Sequence, residues 1–425
     1  MPKNHNKIER LHHFDLLRAA MLLLIVLTHV AHAYDPTMQW IVESPDQTWL
    51  APVLSSIPVF SMPGFFMISS ILSIFLMRKR SYQDWAKGRL LRICVPLISG
   101  ILILSPITIY VASQAAELNA AGTTSSPFTG DLGTDFAALD RRWIGHLWFL
   151  STLGIFTLIA WIGFARGVLM DGLHRTSVFL VKLDRKINIW WTIVLAVGAW
   201  SFGAKALLYV MKLLLGFEPA LIAILNVDTL LGYFPLFMLG LLLGVSSDLR
   251  DLMFKVTPFR TIVLAIGFAI YVLAAGVPFE EWRLARKLIG PALGTGIALF
   301  LFGYLADKIN KPSPLAKRIS SYSYSVYLLH YPISNALALI FASVTLNASL
   351  EFLILIILTY ILSFVAAWVV AQVGVLKFLF NGEPFWRQSV RVERSDSKTA
   401  VGTHETQHES PSAYRAMEID TAPNR

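Results

Sequence analysis

Apolar residues along the chain gather into long runs separated by short polar segments. About 20 residues of helix cross roughly 30 Å of hydrocarbon, so each such run is a candidate membrane span. Ten qualify, near 14–33, 55–77, 93–113, 145–165, 189–211, 223–245, 262–277, 288–306, 321–342 and 352–376. The pattern predicts an all-α, polytopic membrane protein of about ten transmembrane helices. The seventh and eighth runs are the weakest, because Gly276, Pro278, Gly290, Pro291, Gly294 and Gly296 interrupt them. Residues 1–13 then form an N-terminal segment, 14–378 the transmembrane domain, and 379–425 a polar tail.

The connecting segments orient the spans. On one side, 1–13, 78–92, 166–188, 246–261, 307–320 and 377–425 hold 28 Lys and Arg residues. On the other, 34–54, 114–144, 212–222, 278–287 and 343–351 hold 6. Basic residues stay in the cytoplasm, which predicts that both termini are cytoplasmic and that the number of spans is even. Ala31-His32-Ala33 mimics a signal-peptidase site, with Lys3, Lys7 and Arg10 as its basic prelude. The apolar run is too long for a signal peptide and contains Asp15 and Arg18, so it is expected to remain as the first span. The loop 114–144 opens on a Gly/Ser/Thr-rich run, Gly122 to Gly133, that reads as a flexible flap. Beyond about 387 the tail, with Ser397, Thr399, Thr403, Glu405, Gln407 and Ser410, buries too little apolar surface to fold and is expected to be disordered.

Composition narrows the class further. Of the 425 residues 55% are hydrophobic and 15% charged, against about a quarter charged in soluble domains. The net charge of +9 belongs to the membrane topology in a chain this apolar, so the expected partner is the lipid bilayer and not nucleic acid. The lone Cys94 excludes an internal disulfide and a Cys-only metal site. No internal repeat points to an inverted-repeat transporter.

Ionisable groups inside a span cost several kcal/mol unless paired or hydrated, so each is a functional candidate. The first span holds Asp15, Arg18, His29 and His32. Arg18 and His29 are eleven residues apart, close to three full turns, and share one face about 16 Å apart along the axis. A guanidinium grips phosphate bidentately and an imidazole takes a proton at neutral pH. The pair suits a reagent with an anionic cytoplasmic head and a reactive tip reaching outward; the bland alternative is that Arg18 snorkels or pairs with Asp15. Arg78, Lys79, Arg80, Lys87, Arg89 and Arg92 line the inner edge, where Arg89 and Arg92, at i and i+3, could clamp a diphosphate. His146-Leu147-Trp148-Phe149-Leu150 opens the fourth span, where an imidazole and a Trp face at the level of His29 could hold a sugar. The ninth span carries Tyr322, Tyr324, Ser325, Tyr327 and His330 before Pro332, which frees a backbone carbonyl near mid-membrane. Lys205 and Asp228 are further charges within spans and could pair. No phosphate-binding glycine loop, His-Glu-x-x-His zinc site or Gly-x-Ser-x-Gly elbow is present, so no metal is expected.

Together these residues resemble a known family. Phe14-Asp15-Leu16-Leu17-Arg18 through His29 is similar to the opening of the integral-membrane acyltransferase-3 family, whose signature is Arg, ten residues, His. Pro63-Gly64-Phe65-Phe66-Met67-Ile68-Ser69 looks like its second-span motif, Arg89 with Arg92 matches its paired arginines, and His146 to Leu150 and Tyr324 to Pro332 complete the match. Trp40-Ile41-Val42 and Pro45 resemble the family's glucan-biosynthesis branch. Thr28 stands where the family often has Phe, and Ser70 where it often has Gly. The resemblance implies acyl transfer, commonly acetyl and sometimes succinyl, from cytoplasmic acyl-CoA to a hydroxyl of an extracytoplasmic carbohydrate. It implies His29 as the reactive group, Arg18 in the same signature, and Arg89 with Arg92 near the coenzyme A phosphates. His146, Trp148, Tyr327 and His330 are the candidate acceptor-binding residues. His29 acts either as general base or as a transient acyl carrier. The competing readings are a secondary transporter or polysaccharide flippase and a membrane sensor or scaffold.

Overall fold

The computed structural model describes residues 12–35, 42, 50–119, 128–138, 141–216, 226–275, 280–309, 313–342, 344 and 346–383. The first eleven residues, Trp40, Ile41 and Pro45, Gly276 and Pro278, and the tail from residue 384 lie outside them. Among the described residues the regular structure is helical throughout. In chain order the helices are α1 (His12–His32), α2 (Ala51–Ser55), α3 (Pro58–Met77), α4 (Tyr82–Ser99), α5 (Ser105–Asn119), α6 (Leu132–Ala137), α7 (Arg141–Ile144), α8 (Trp148–Ala165) and α9 (Val168–Leu183). They continue as α10 (Ile189–Leu215), α11 (Val227–Val245), α12 (Ser247–Phe254), α13 (Pro258–Leu273), α14 (Glu280–Lys308), α15 (Pro314–Phe341), α16 (Ala348–Gln372) and α17 (Gly374–Asn381). A π-helical turn, Gly100–Leu104, joins α4 to α5.

The described residues of all ten apolar runs fall mostly on helices. Among the described residues eight helical segments are long and apolar enough to cross a membrane, or nine if the bent pair α12 and α13 is one broken span. The shortfall from ten has two local causes. Helix α13 has only 16 residues, about 24 Å, and meets α12 at 63°. Helix α15 has 28 residues, but its Ser, Tyr, His and Asn side chains lower its hydropathy. Several of those side chains, among them Ser323, Ser325, His330 and Asn335, are buried inside the bundle.

Gly290, Pro291, Gly294 and Gly296 do not interrupt α14, contrary to their sequence signal. Glycine serves close approach there: a Cβ at Gly294 would overlap the Val59 carbonyl. That carbonyl sits four residues before Pro63 and so lacks its helical N–H donor. The Cα–H of Gly294 points at it instead, a weak hydrogen bond that needs the backbones nearly in contact. Another proline-freed carbonyl finds a side-chain donor. Pro235 frees Leu231, whose oxygen accepts from Trp200 Nε1 at 2.7 Å.

The expected flap is partly built. Residues 128–138 are described, and Asp131 caps α6 by accepting from Thr134 N at 2.8 Å. Asp135 is fully buried, where it accepts from Thr129 N at 2.9 Å and pairs with Arg142 at 3.4 Å. A Gly-rich composition signals flexibility only when no buried polar anchor holds the segment.

Contacts between helices set their directions. Arg18 meets Ser323 and His29 meets His330, so α1 and α15 are parallel. Tyr34 donates to Glu351 and Tyr360 to the Leu23 carbonyl, so α16 is antiparallel to α1. Arg89 donates to Thr157 while Ile93 touches Gly154, which makes α4 and α8 antiparallel. Helices α3 and α11 are parallel: Gly240 packs on Met67 and Ser70, and Gly244 on Ile71 and Ile74. The bundle therefore has two ends. Arg78, Arg92, Arg166, Arg185, Lys255 and Lys317 gather at the end where α1 begins, here called the basic end. Histidines 29 and 32 mark the other. The shared core is aromatic and aliphatic, with Phe66, Phe156, Phe237 and Phe302 almost completely buried.

Candidate active site

The site is built where α1, α15 and the start of α8 converge. Pro332 within α15 withholds the N–H that the Leu328 carbonyl would otherwise accept. His146, buried in the 3-10 turn Gly145–Leu147 that leads into α8, fills the gap, its Nε2 lying 3.1 Å from that oxygen. Since a carbonyl only accepts, His146 Nε2 carries the proton and its Nδ1 is the acceptor nitrogen. Tyr331 stacks on the His146 ring at 4.3 Å, and the Tyr327 hydroxyl donates to the His146 backbone carbonyl. His146 is thus locked in orientation and tautomer.

The same logic applies to His330, which is fully buried. Its Nδ1 lies 3.0 Å from the Val326 carbonyl and must donate to it. Its Nε2 is then an acceptor, and 2.6 Å away is Nδ1 of His29. With both rings neutral, His29 donates through Nδ1, which leaves the His29 lone pair on Nε2. The two ring planes are parallel within 1° and their centroids are 4.9 Å apart, a separation that fits an end-to-end N–H···N contact. Tyr331 meets His29 edge-on at 5.3 Å and steadies it from the side. The result is a relay from the Val326 carbonyl through His330 to His29, which fixes the His29 ring and its tautomer with the lone pair on Nε2. Among the described residues no three His, Cys, Asp or Glu side chains are placed to share a metal ion.

Arg18 also faces α15, donating to Ser323 Oγ at 3.4 Å. Arg89 and Arg92 take different surroundings. Arg89 turns into the bundle, where Nε donates to Thr157 Oγ1 at 3.0 Å and Nη2 to Ser69 Oγ at 2.5 Å. Arg92 is solvent-facing, 3.8 Å from Glu383, and lies within electrostatic reach of Arg18. The neighbouring cations are thus Arg18 and Arg92, with Arg89 turned inward. Helix α17 closes this end through Ser325 and Asn381, whose side chains meet at 2.7 Å, and Gly382 lies against the Arg92 backbone.

Trp148 is not in the histidine cluster. It stacks at 5.6 Å on Tyr233 of α11, beside Phe66. Asp228 lies within electrostatic reach of Lys205, across α10 and α11. Sequence reasoning missed Ser69, Thr157, Tyr233 and Tyr331. Two of them had a readable signal: Ser69 closes the second-span motif, and Tyr331 stands between His330 and Pro332. The Thr28 and Ser70 departures are absorbed locally: Thr28 Oγ1 donates to Leu24 O at 2.8 Å, and Ser70 Oγ lies 2.9 Å from Phe66 O under the bare Cα of Gly240.

The acyltransferase-3 family model, described as an acyltransferase domain, matches residues 11–368 of this chain. The chain is similar to the glucans biosynthesis protein C of Shigella dysenteriae serotype 1, with 26% identity over 389 residues, covering 88% of this chain and 95% of that one. The protein of the same name from Escherichia coli also shows 26% identity over 389 residues, with the same coverage. That of Salmonella paratyphi A shows 24% over 400 residues, covering 91% and 97%. No solved structure matches this chain.

Proposed function

This chain belongs to the acyltransferase-3 family and is a multi-pass membrane acyltransferase that moves groups other than amino-acyl groups; we propose that it acylates a hydroxyl of an extracytoplasmic carbohydrate. The donor is cytoplasmic acyl-CoA carrying an acetyl or succinyl group, and the acceptor is a glucan, the class named in its relatives. Both termini and the basic end face the cytoplasm.

Arg92 and Arg18, toward the basic end, hold the coenzyme A phosphates, with Arg89 further in. The pantetheine arm then runs along α1 toward His29, about 16 Å beyond Arg18. Trp148 and Tyr233 offer an aromatic face to the sugar. The acceptor hydroxyl gives its proton to Nε2 of His29 as its oxygen attacks the thioester carbonyl carbon. His330 Nε2 accepts the Nδ1–H of the resulting imidazolium. The C–S bond breaks, the thiolate takes the proton back from His29, and the products are the O-acyl ester and the free thiol. His330 is a positioning residue in this scheme, and His146 and Tyr327 hold the scaffold around it.

The single observation that carries this reading is the 2.6 Å contact between His29 and His330, backed by the Val326 carbonyl. The test is transfer of labelled acyl groups from acyl-CoA to lumenal glucan in inverted vesicles. His29→Asn is expected to insert at normal abundance and lose at least roughly 100-fold in rate. Equal rates at equal abundance would remove His29 from the chemistry.

A further inference from the structure

Away from the histidines, a polar cleft of about 430 Å³ opens at the basic end between the α9–α10 connection and the start of α13. We propose that it binds the phosphate headgroup of an anionic phospholipid. The inference is independent of the acyl-transfer scheme.

Four cations line the cleft, Arg185, Lys186, Lys255 and Arg260, together with Trp191 and Phe259. One carboxylate opposes them. Asp184 is committed to the α10 backbone, accepting from Ile189 N at 3.0 Å, and also faces Arg260. The walls are rigid. The Arg260 guanidinium lies 4.6 Å over the Trp190 ring and donates to the Lys255 carbonyl at 2.6 Å. Trp190 is itself tied to α12 by donating to the Met253 carbonyl at 3.1 Å. The helix starts do not supply the anion site, since Asn188 and Thr257 already cap them. The attraction comes from side-chain charge.

The rim identifies the source of the phosphate. Phe259 is 66% exposed and Ile187 44%, and both stand beside the charged floor. Helix α9, leading into the cleft, exposes Val168, Val178 and Phe179 on the same side as Arg175 and Lys182. A surface that mixes exposed apolar and basic side chains in this way suits the headgroup layer, and basic pockets between spans at that level bind anionic headgroups. A soluble phosphate would gain nothing from the apolar rim, whereas a lipid fills rim and floor together.

The full-length protein in mixed-lipid nanodiscs provides the test, read by native mass spectrometry of retained lipid. Wild type is expected to enrich phosphatidylglycerol over phosphatidylcholine. The pair Lys186→Gln and Lys255→Gln should lower that enrichment by roughly tenfold or more, given about a fivefold contribution per basic residue. Lys186→Arg with Lys255→Arg keeps the charge and should keep the enrichment, which separates charge from folding. Inorganic phosphate and coenzyme A at millimolar concentration should leave the lipid in place. Absence of a phosphatidylglycerol preference, an unchanged Gln variant, or displacement by either soluble anion would overturn the proposal.

Discussion

Replacing His330 separates the relay from a merely packed pair of rings. In His330→Leu the Nδ1–H of His29 loses the acceptor now 2.6 Å away, at a position with no exposure to solvent. The loss falls hardest on the transition state, where His29 is an imidazolium and its hydrogen bond is charge-assisted. Such a bond contributes about 1.5–3 kcal/mol, so the rate of transfer should drop roughly 10- to 150-fold. The donor KM should be unchanged, because His330 meets no group at the basic end. His330→Gln is the informative partner: its Oε1 occupies nearly the place of Nε2 and can accept from His29, so it should recover most of the lost rate. The assay is single-turnover acyl transfer in proteoliposomes, with abundance and thermal stability measured on the same preparations. A double variant with His29→Asn should be no slower than His29→Asn alone, since the two residues act as one unit. Full additivity of the two losses, or a Leu variant as fast as wild type, would refute the relay.

Other outcomes follow from the same geometry. Arg92→Ala, at an exposed position, should raise the donor KM by roughly fivefold, about 1 kcal/mol, with thermal stability unchanged; an unchanged KM would assign Arg92 to topology alone. Arg89→Ala strips Ser69 and Thr157 of their buried partner and should lower stability by about 1–3 kcal/mol, seen as an earlier thermal unfolding midpoint. Gly294→Ala drives a methyl into the Val59 carbonyl and should destabilise by about 1–3 kcal/mol, whereas Gly290→Ala, whose nearest neighbours are side-chain atoms at 3.4 Å, should be tolerated; equal stability of the two would refute the close-approach argument. A periplasm-active alkaline phosphatase fused after Glu383 should be silent, and high activity would refute the cytoplasmic placement of the C-terminus.

The sequence alone determined what depends on near neighbours and on solvent. Ten apolar runs became helices because a hydrocarbon environment leaves backbone groups no other partner. Pro332 announced a freed carbonyl because the missing N–H is a local fact, and the eleven-residue interval placed Arg18 and His29 on one face because helix pitch is fixed. Tertiary structure decided who meets whom. The donor to the Leu328 carbonyl arrives from His146, 182 residues earlier, and the acceptor for His29 lies 301 residues later. No local rule could have given His330 its role as acceptor when its residue type equally suits a sugar. Arg89 and Arg92 looked alike in sequence, yet the packing of α3 and α8 against α4 turns one inward and leaves the other facing solvent. The glycines of α14 read as breaks because helix propensity sees only its own chain. Their use is to let a second backbone come within van der Waals contact, and that contact exists only once the helices have packed.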